Sequence, residues 1–494
     1  MYFFYVFLFF VSLFVFNLAF LYSNWLECAG LTFGSSLKNI ALSLTLVQAL
    51  VVLGLTYWLF LQPSPPIPTL DYDEWWGPET SRKVDRGVTP FNITFSDDMI
   101  NDLKYRLKNH VPFSPPLDGV GFEYGFNTNI LDEWVDYWAQ KYPFKQKERF
   151  LNKFPQYKTN IQGLDIHFIR VKPQAKNKEI IPLLLLHGWP GSVREFYESI
   201  PFLTAVSDSR DFVLEVIVAS LPGYGFSDPA VRPGLGPAQM AVVMRNLMHR
   251  LGHEKFYIQG GDWGSQVSHC MTVLFPTEIL GSHINFGIVS TLKAMVAQYL
   301  ISFYPTLFMD KNLVDRLEYN KGIFRELGYF HLQSTKPDTL GVSLNDSPVA
   351  LLAYILEKSA AATDFDNIKF EDGGTRSWRF TKDQILDNLM IYWASNSITT
   401  SMRIYAESCS KAHNKLGMQR IKSIVPTWLV QAKNEIYFQP PLILNMKYKN
   451  LVNITILNEG GHFLAWEMPL TFSEDVLMAV DVFRKLKSSV EDEL

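Results

Sequence analysis

KFYIQGGDWGSQ, residues 255–266, sets apolar Phe256, Tyr257 and Ile258 directly before Gly260-Gly261-Asp262-Trp263-Gly264, and an apolar run, QVSHCMTVLF, begins as it ends. That order predicts a buried strand, a sharp turn and a helix. Glycines two before and two after Asp262 permit a strained turn that pushes one side chain clear of the backbone, and they leave room for strand and helix to cross. The side chain so presented is a carboxylate.

In the pattern Gly-x-Ser-x-Gly the central residue carries the attacking atom, and the helix after it points its N-terminus at that atom. Here Asp262 stands where the serine would be. A carboxylate attacks carbon without first losing a proton and can displace an alkyl leaving group, leaving an ester between enzyme and substrate. The same residues also suit an ordinary turn whose aspartate bonds its own backbone. Partners elsewhere in the chain decide between the two.

Before the elbow, IHFIRV from Ile166, IPLLLLHG from Ile181 and FVLEVIVAS from Phe212 are short apolar runs, and the helix-like QMAVVMRNLMHRLG follows them. Apolar runs separated by helices predict a mostly parallel sheet buried on both faces, an α/β fold. His187-Gly188-Trp189-Pro190-Gly191-Ser192 comes directly after the second run. Such a loop can turn a backbone N–H toward the elbow, which makes the Trp189 and Trp263 N–H groups candidate oxyanion donors. A plain strand-to-helix turn carries the same residues. Near the C-terminus VPTWLVQAKNEIYF and NITILNEGGHF each read as strand then loop, placing Glu435 and His462 just past two late strand ends. A lone glutamate or histidine there is commonplace. The order Asp262, Glu435, His462 is nucleophile, acid, histidine, the chain order of the α/β-hydrolase fold.

A near balance of 45 basic and 49 acidic residues, net −4, argues against a nucleic-acid partner. Cys28, Cys270 and Cys409 lie far apart and form neither a metal spacing nor a disulfide framework. Residues 1–22 and 40–61 are each apolar and long enough to span a bilayer; 40–61 is the expected N-terminal membrane anchor, and 1–39 an extra hydrophobic segment. QPSPPIPTL follows as a semi-rigid spacer, with Pro63, Pro65, Pro66 and Pro68. The sequons at Asn92 and Asn453 matter only if the domain is lumenal. Residues 62–160 read as the linker and a helical arm, with Asp97 and Asp98 as cap and first-turn acids of one helix. The core is expected over 161–290 and 401–494. Between them 291–400, with ISFYPTLFM and ALLAYILEK, forms an inserted helical lid whose apolar and aromatic content suits a lipophilic substrate.

HGWPGS, GGDWGS, ELGYFHLQSTKPDTLGVSLNDSPVALLAYILEK and GGHFLAWE together resemble the membrane-bound (microsomal) epoxide hydrolases, including the juvenile hormone epoxide hydrolases. The resemblance extends to the proline-rich linker and the WWGP segment. It implies Asp262 as nucleophile, His462 as the water-activating base and Glu435 as its orienting acid. It also implies that Tyr329 in GYFHLQSTKPDT and Tyr405 in SMRIYAES match two lid tyrosines that bind the epoxide oxygen. Physical need agrees, because ring opening builds an alkoxide that two phenol O–H groups can stabilise and protonate. The implied partners are a small lipophilic epoxide, such as juvenile hormone or a foreign epoxide, with water and membrane lipid, and the implied place is the endoplasmic reticulum membrane. No metal or cofactor is implied. A haloalkane dehalogenase also uses an elbow aspartate but needs halide donors in place of lid tyrosines. A serine esterase is poorly served by Ser265, three residues past the elbow. A catalytically silent lipid- or terpenoid-binding protein is the alternative from another class, and diol formation separates it from an enzyme.

Overall fold

A computed structural model describes residues 64–81 and 85–492, with scattered positions between 43 and 57. The expected spans at 1–22 and 40–61 lie outside the described residues, those scattered positions apart. By its contacts the chain divides into two units, 1–64 and 65–494, and the second contains the sheet and every candidate site residue.

Nine strands form one sheet: β1 (Val88–Phe91), β2 (Gln156–Ile161), β3 (Leu164–Val171), β4 (Glu179–Leu186), β5 (Phe212–Ala219), β6 (Phe256–Gly260), β7 (Ile279–Ile284), β8 (Thr427–Gln431) and β9 (Leu451–Ile456). Their order is β1-β2-β3-β5-β4-β6-β7-β8-β9. The pairs β1–β2, β2–β3 and β3–β5 are antiparallel, and every pair from β5 to β9 is parallel. The helices that matter below are α1 (Asp97–Lys108), α2 (Pro237–Arg250), α3 (Asp262–Leu274), α4 (Gly328–Thr335), α5 (Pro337–Asp346), α6 (Pro348–Thr363), α7 (Lys382–Ser395), α8 (Ile398–Ser408) and α9 (Pro469–Asp492). All eight residues of β5 and the last four of β4 are buried, as parallel strands covered on both faces require. α2 packs on α3, α3 on β4 and β6, and α9 on β7.

The arm is less helical than its sequence suggests. It contributes β1 and β2 to the antiparallel edge of the sheet. β1 is only VTPF, largely exposed, too short for alternation to show; its proline is tolerated because an edge strand has one unpaired side. The cap of α1 is Ser96, whose Oγ accepts the Met99 N–H at 3.2 Å, so Asp97 and Asp98 are first-turn acids only. Within the arm, the charged, helix-like stretch EWVDYWAQKYPFKQKERFLNKF, residues 133–154, is divided among Leu131–Asp136, a wider turn at Tyr137–Lys141 and Phe144–Leu151, with Pro143 at the break. β7 escaped the sequence because ILGSHI is interrupted by glycine, serine and histidine. It is buried all the same, and Gly281 admits Phe483 of α9 to within 2.3 Å of where a Cβ would stand.

The segment from α4 to α6 lies over the site. α6 buries Leu351, Leu352, Ile355 and Leu356, each contributing at most about 2 kcal/mol. α8 runs through residue 400, so the expected end of the lid falls within a helix. Among the described residues no single helix is long and apolar enough to cross a membrane; α5 and α6 reach that measure only as a pair bent by 118°.

Candidate active site

Trp189, Asp262, Glu435 and His462 each follow the carboxyl end of a parallel strand, β4, β6, β8 and β9 respectively. The strand order reverses around β4, which opens a crevice at those ends. Asp262 starts α3 with a φ of 45°, a left-handed conformation that costs a non-glycine residue about 1 kcal/mol or more. The turn closes because its neighbours lack side chains: a Cβ on Gly264 would stand 2.1 Å from Leu186 O, and one on Gly188 2.1 Å from Asp262 Oδ1.

The carboxylate is held asymmetrically. Trp189 N–H donates to Asp262 Oδ1 at 2.8 Å, while Oδ2 lies 3.3 Å from His462 Nε2. On its other side His462 Nδ1 meets Glu435 Oε1 at 2.6 Å, which places the proton on Nδ1 when the ring is neutral. The two loops are tied together by Asn434 N–H, which donates to Gly460 O at 2.9 Å, and His462 N–H donates to Ala362 O of α6 at 2.9 Å. Trp263 N–H lies in the first turn of α3, where amides have no helical acceptor. Among the described residues' hydrogen bonds, none joins it to Oδ1, so only one of the two expected donors is engaged there.

Burial opposes a charge on His462, yet the Glu435 carboxylate and then Asp262 outweigh it and hold the imidazole well above its ordinary value. Tyr329 on α4 and Tyr405 on α8 come together over the elbow, ring centroids 6.0 Å apart. Trp189 stacks on Tyr329 at 5.6 Å, and Trp263 meets Tyr405 edge-on at 4.7 Å. Both phenols are pushed above their usual range, first by burial and further by the Asp262 charge, so they stay protonated donors at neutral pH.

Three further residues at the site were not picked out from the sequence. Phe286 sets its ring edge-on to His462 at 5.0 Å. Glu467 accepts the Gly461 and Phe463 N–H groups at 3.0 and 3.1 Å, the amides on either side of His462, and burial pushes its carboxyl up to about 8. Burial likewise raises Glu195 to about 8; it lies against Gly191, where any Cβ would overlap its Oε1. The spacing HFLAWE hints at Glu467 once the histidine is suspected, but nothing marks Glu195. A separate cleft of about 500 Å³ lies between the Pro222–Leu235 loop and α8, lined by Arg403 and Glu407 and by none of the predicted site residues.

This is the arrangement of an α/β-hydrolase with an aspartate at the elbow. A family model for the epoxide hydrolase N terminus matches residues 88–196, and one for the alpha/beta hydrolase fold matches 181–326. A juvenile hormone epoxide hydrolase of Bombyx mori is 53% identical over 460 residues, 92% of this chain and 99% of that one. Epoxide hydrolase 1 of Sus scrofa is 38% identical over 437 residues, 86% of this chain and 96% of its own. The crystal structure of the silkworm juvenile hormone epoxide hydrolase matches with a TM-score of 0.83 at 54% identity, covering 85% of this chain and 100% of that one. The chain belongs to the epoxide hydrolase family.

Proposed function

We propose that the protein hydrolyses lipophilic epoxides to vicinal diols through an ester on Asp262. The observation that carries this is the one carboxylate held by Trp189 N–H at Oδ1 and facing His462 at Oδ2 beneath two protonated phenols. In the first half-reaction Oδ2 bonds to the less hindered ring carbon as the carbon–oxygen bond breaks, and Tyr329 and Tyr405 donate hydrogen bonds and then a proton to the departing alkoxide. Alkylation removes the negative charge of Asp262, so one of the groups holding His462 protonated disappears and its proton affinity falls. The proton it releases balances the one taken from the phenol. His462, oriented by Glu435, then deprotonates a water that attacks the Asp262 carbonyl carbon. Trp189 N–H, joined by Trp263 N–H, stabilises the oxyanion on Oδ1; its collapse breaks the bond from the carbonyl carbon to Oδ2, which leaves in the diol with the proton that His462 took from water.

A single turnover in heavy-oxygen water, followed by mass spectrometry of the Asp262 peptide, tests this route. Label in Asp262 is the expected result. Label in the diol with an unlabelled peptide means direct attack by water, and the absence of diol with every epoxide tried favours a silent binder.

The substrate class we favour is a terpenoid epoxide of the juvenile hormone kind, supported by the names of relatives that span almost the whole chain. Comparing kcat/KM for such an epoxide against small aromatic epoxides tests it; preference for the aromatic set would shift the role to foreign compounds. We also propose that residues 40–61 anchor the protein in the endoplasmic reticulum membrane, supported by their length and lack of charge. Recovery of the full chain in the supernatant after alkaline extraction of membranes would refute the anchor.

A further inference from the structure

The loop that carries Trp189 is clasped by a helix nearly two hundred residues further along. α7 sets Asn388 and Tyr392 one turn apart on a buried face. Asn388 Nδ2 donates to Pro190 O at 2.8 Å, and Asn388 Oδ1 accepts Ser192 Oγ–H at 2.6 Å. A carbonyl can only accept, so the Pro190 contact fixes which way the amide points. Tyr392 O–H donates to Gly191 O at 2.7 Å. Three consecutive loop residues directly after Trp189 are thus bonded to two side chains of one helix. The helix is itself fastened to the far end of that loop, where Asp387 Oδ2 accepts Arg194 Nε–H at 3.1 Å.

We propose that Asn388, backed by Tyr392, is a positioning residue that holds the Trp189 N–H on Asp262 Oδ1 for the second half-reaction. The proposal rests on the covalent route above. While the ester forms, charge leaves the carboxylate and the N–H···Oδ1 bond weakens. When water attacks the ester, Oδ1 becomes the oxyanion and the same bond strengthens. A donor whose bond gains strength only in the second step accelerates that step alone. Its geometry must be fixed beforehand, since a loop free to drift gives up part of the stabilisation. A role confined to satisfying buried carbonyls would instead change stability and leave the balance between the two steps untouched.

The test uses the full-length protein in detergent, with Asn388→Leu, Asn388→Asp and Tyr392→Phe. Rapid-quench single turnovers with a lipophilic epoxide follow the ester by intact-protein mass and the diol by chromatography. For Asn388→Leu we expect alkylation within about two-fold of wild type and ester decay slower by about ten-fold or more, with ester accumulating in the steady state. Asn388→Asp, which keeps the acceptor for Ser192 and loses the donor to Pro190, should fall between. Tyr392→Phe removes a single oxygen and should slow ester decay in the same direction if Asn388→Leu does not fold. Equal slowing of both steps, or unchanged rates with a lower melting temperature, would overturn the assignment. Wild-type enzyme that makes diol without passing through an ester overturns the covalent route itself, a result distinct from either.

Discussion

Tyr329 touches both Trp189 and Tyr405, so its ring is packed whatever its chemistry, and only its oxygen carries the proposed role. Tyr329→Phe keeps the ring. It should lower kcat/KM for diol formation by about 100-fold, the size of one lost oxyanion donor, while the rate of ester decay stays the same. An unchanged kcat/KM would reduce Tyr329 to a wall of the pocket. His462 yields a prediction of another kind. In the free enzyme burial disfavours its charged form, but Glu435 and Asp262 together hold its pKa well above the ordinary value. In the ester Asp262 is neutral; removing a negative neighbour disfavours the cation, so the pKa drops. The acid limb of ester decay should therefore lie at lower pH than the titration of His462 in the resting enzyme. Stopped-flow decay across pH, set against a nuclear magnetic resonance titration of the imidazole, reads both, and coincidence of the two would exclude the coupling.

Among the elements, the junction of β3 and β5 is where the antiparallel edge joins the parallel sheet, and an ion pair bridges it. Arg170 Nε meets Glu215 Oε1 at 2.6 Å, with Glu215 buried. Burial alone would raise that carboxyl; His253, whose Nε2 lies 3.6 Å from Oε1, and the bonded Arg170 guanidinium reverse it and bring it from 4.5 down to about 2. A carboxylate lowered by folding adds stability above its unfolded value and loses it as the pH falls through its folded value. Glu215→Gln should cost at most about 3 kcal/mol at pH 7, a gap in urea melts that closes as the pH falls from about 4.5 toward 2. A gap independent of pH would assign the loss to packing. The sequence shows such things unevenly. Asp262, Glu435 and His462 were legible because each ends an apolar strand and their order is that of the fold. The core strands were legible because burial on both faces leaves continuous apolar runs. β7 was not, since its glycine, serine and histidine break the apolar run, and His283 finds its partner only in the tertiary fold, where Nε2 meets Asp475 of α9 at 2.9 Å. Asn388 gains its meaning from Pro190 and Ser192, about two hundred residues away, which no local pattern announces.

Across the whole molecule, arm, core and lid meet at one buried carboxylate. Asp387 of α7 accepts Tyr142 O–H at 2.9 Å and Arg194 Nε–H at 3.1 Å, and Lys147 Nζ lies 3.6 Å away. Tyr142 and Lys147 belong to the arm, and Arg194 to the loop below the site. Removing Asp387 leaves the buried Arg194 guanidinium with Glu198 alone, at 2.7 Å, and stripping part of a buried charge's compensation costs more than the pair contributes. Asp387→Ala should lower stability by about 3–5 kcal/mol and open residues 88–155 to limited proteolysis before the core unfolds. An arm that resists protease in this variant would show that its apolar packing alone, through Trp134 and Trp138, holds it down.

The unequal grip on the two oxygens of Asp262 gives them different histories. On the proposed route Oδ2 departs inside every diol and an oxygen from water takes its place, while Oδ1, pinned by Trp189, is never exchanged. One atom of the nucleophile is as old as the polypeptide and the other is renewed at each turnover. After many cycles in heavy-oxygen water Asp262 should carry a single label and never two, and a doubly labelled peptide would mean that the carboxylate turns over in its socket between cycles.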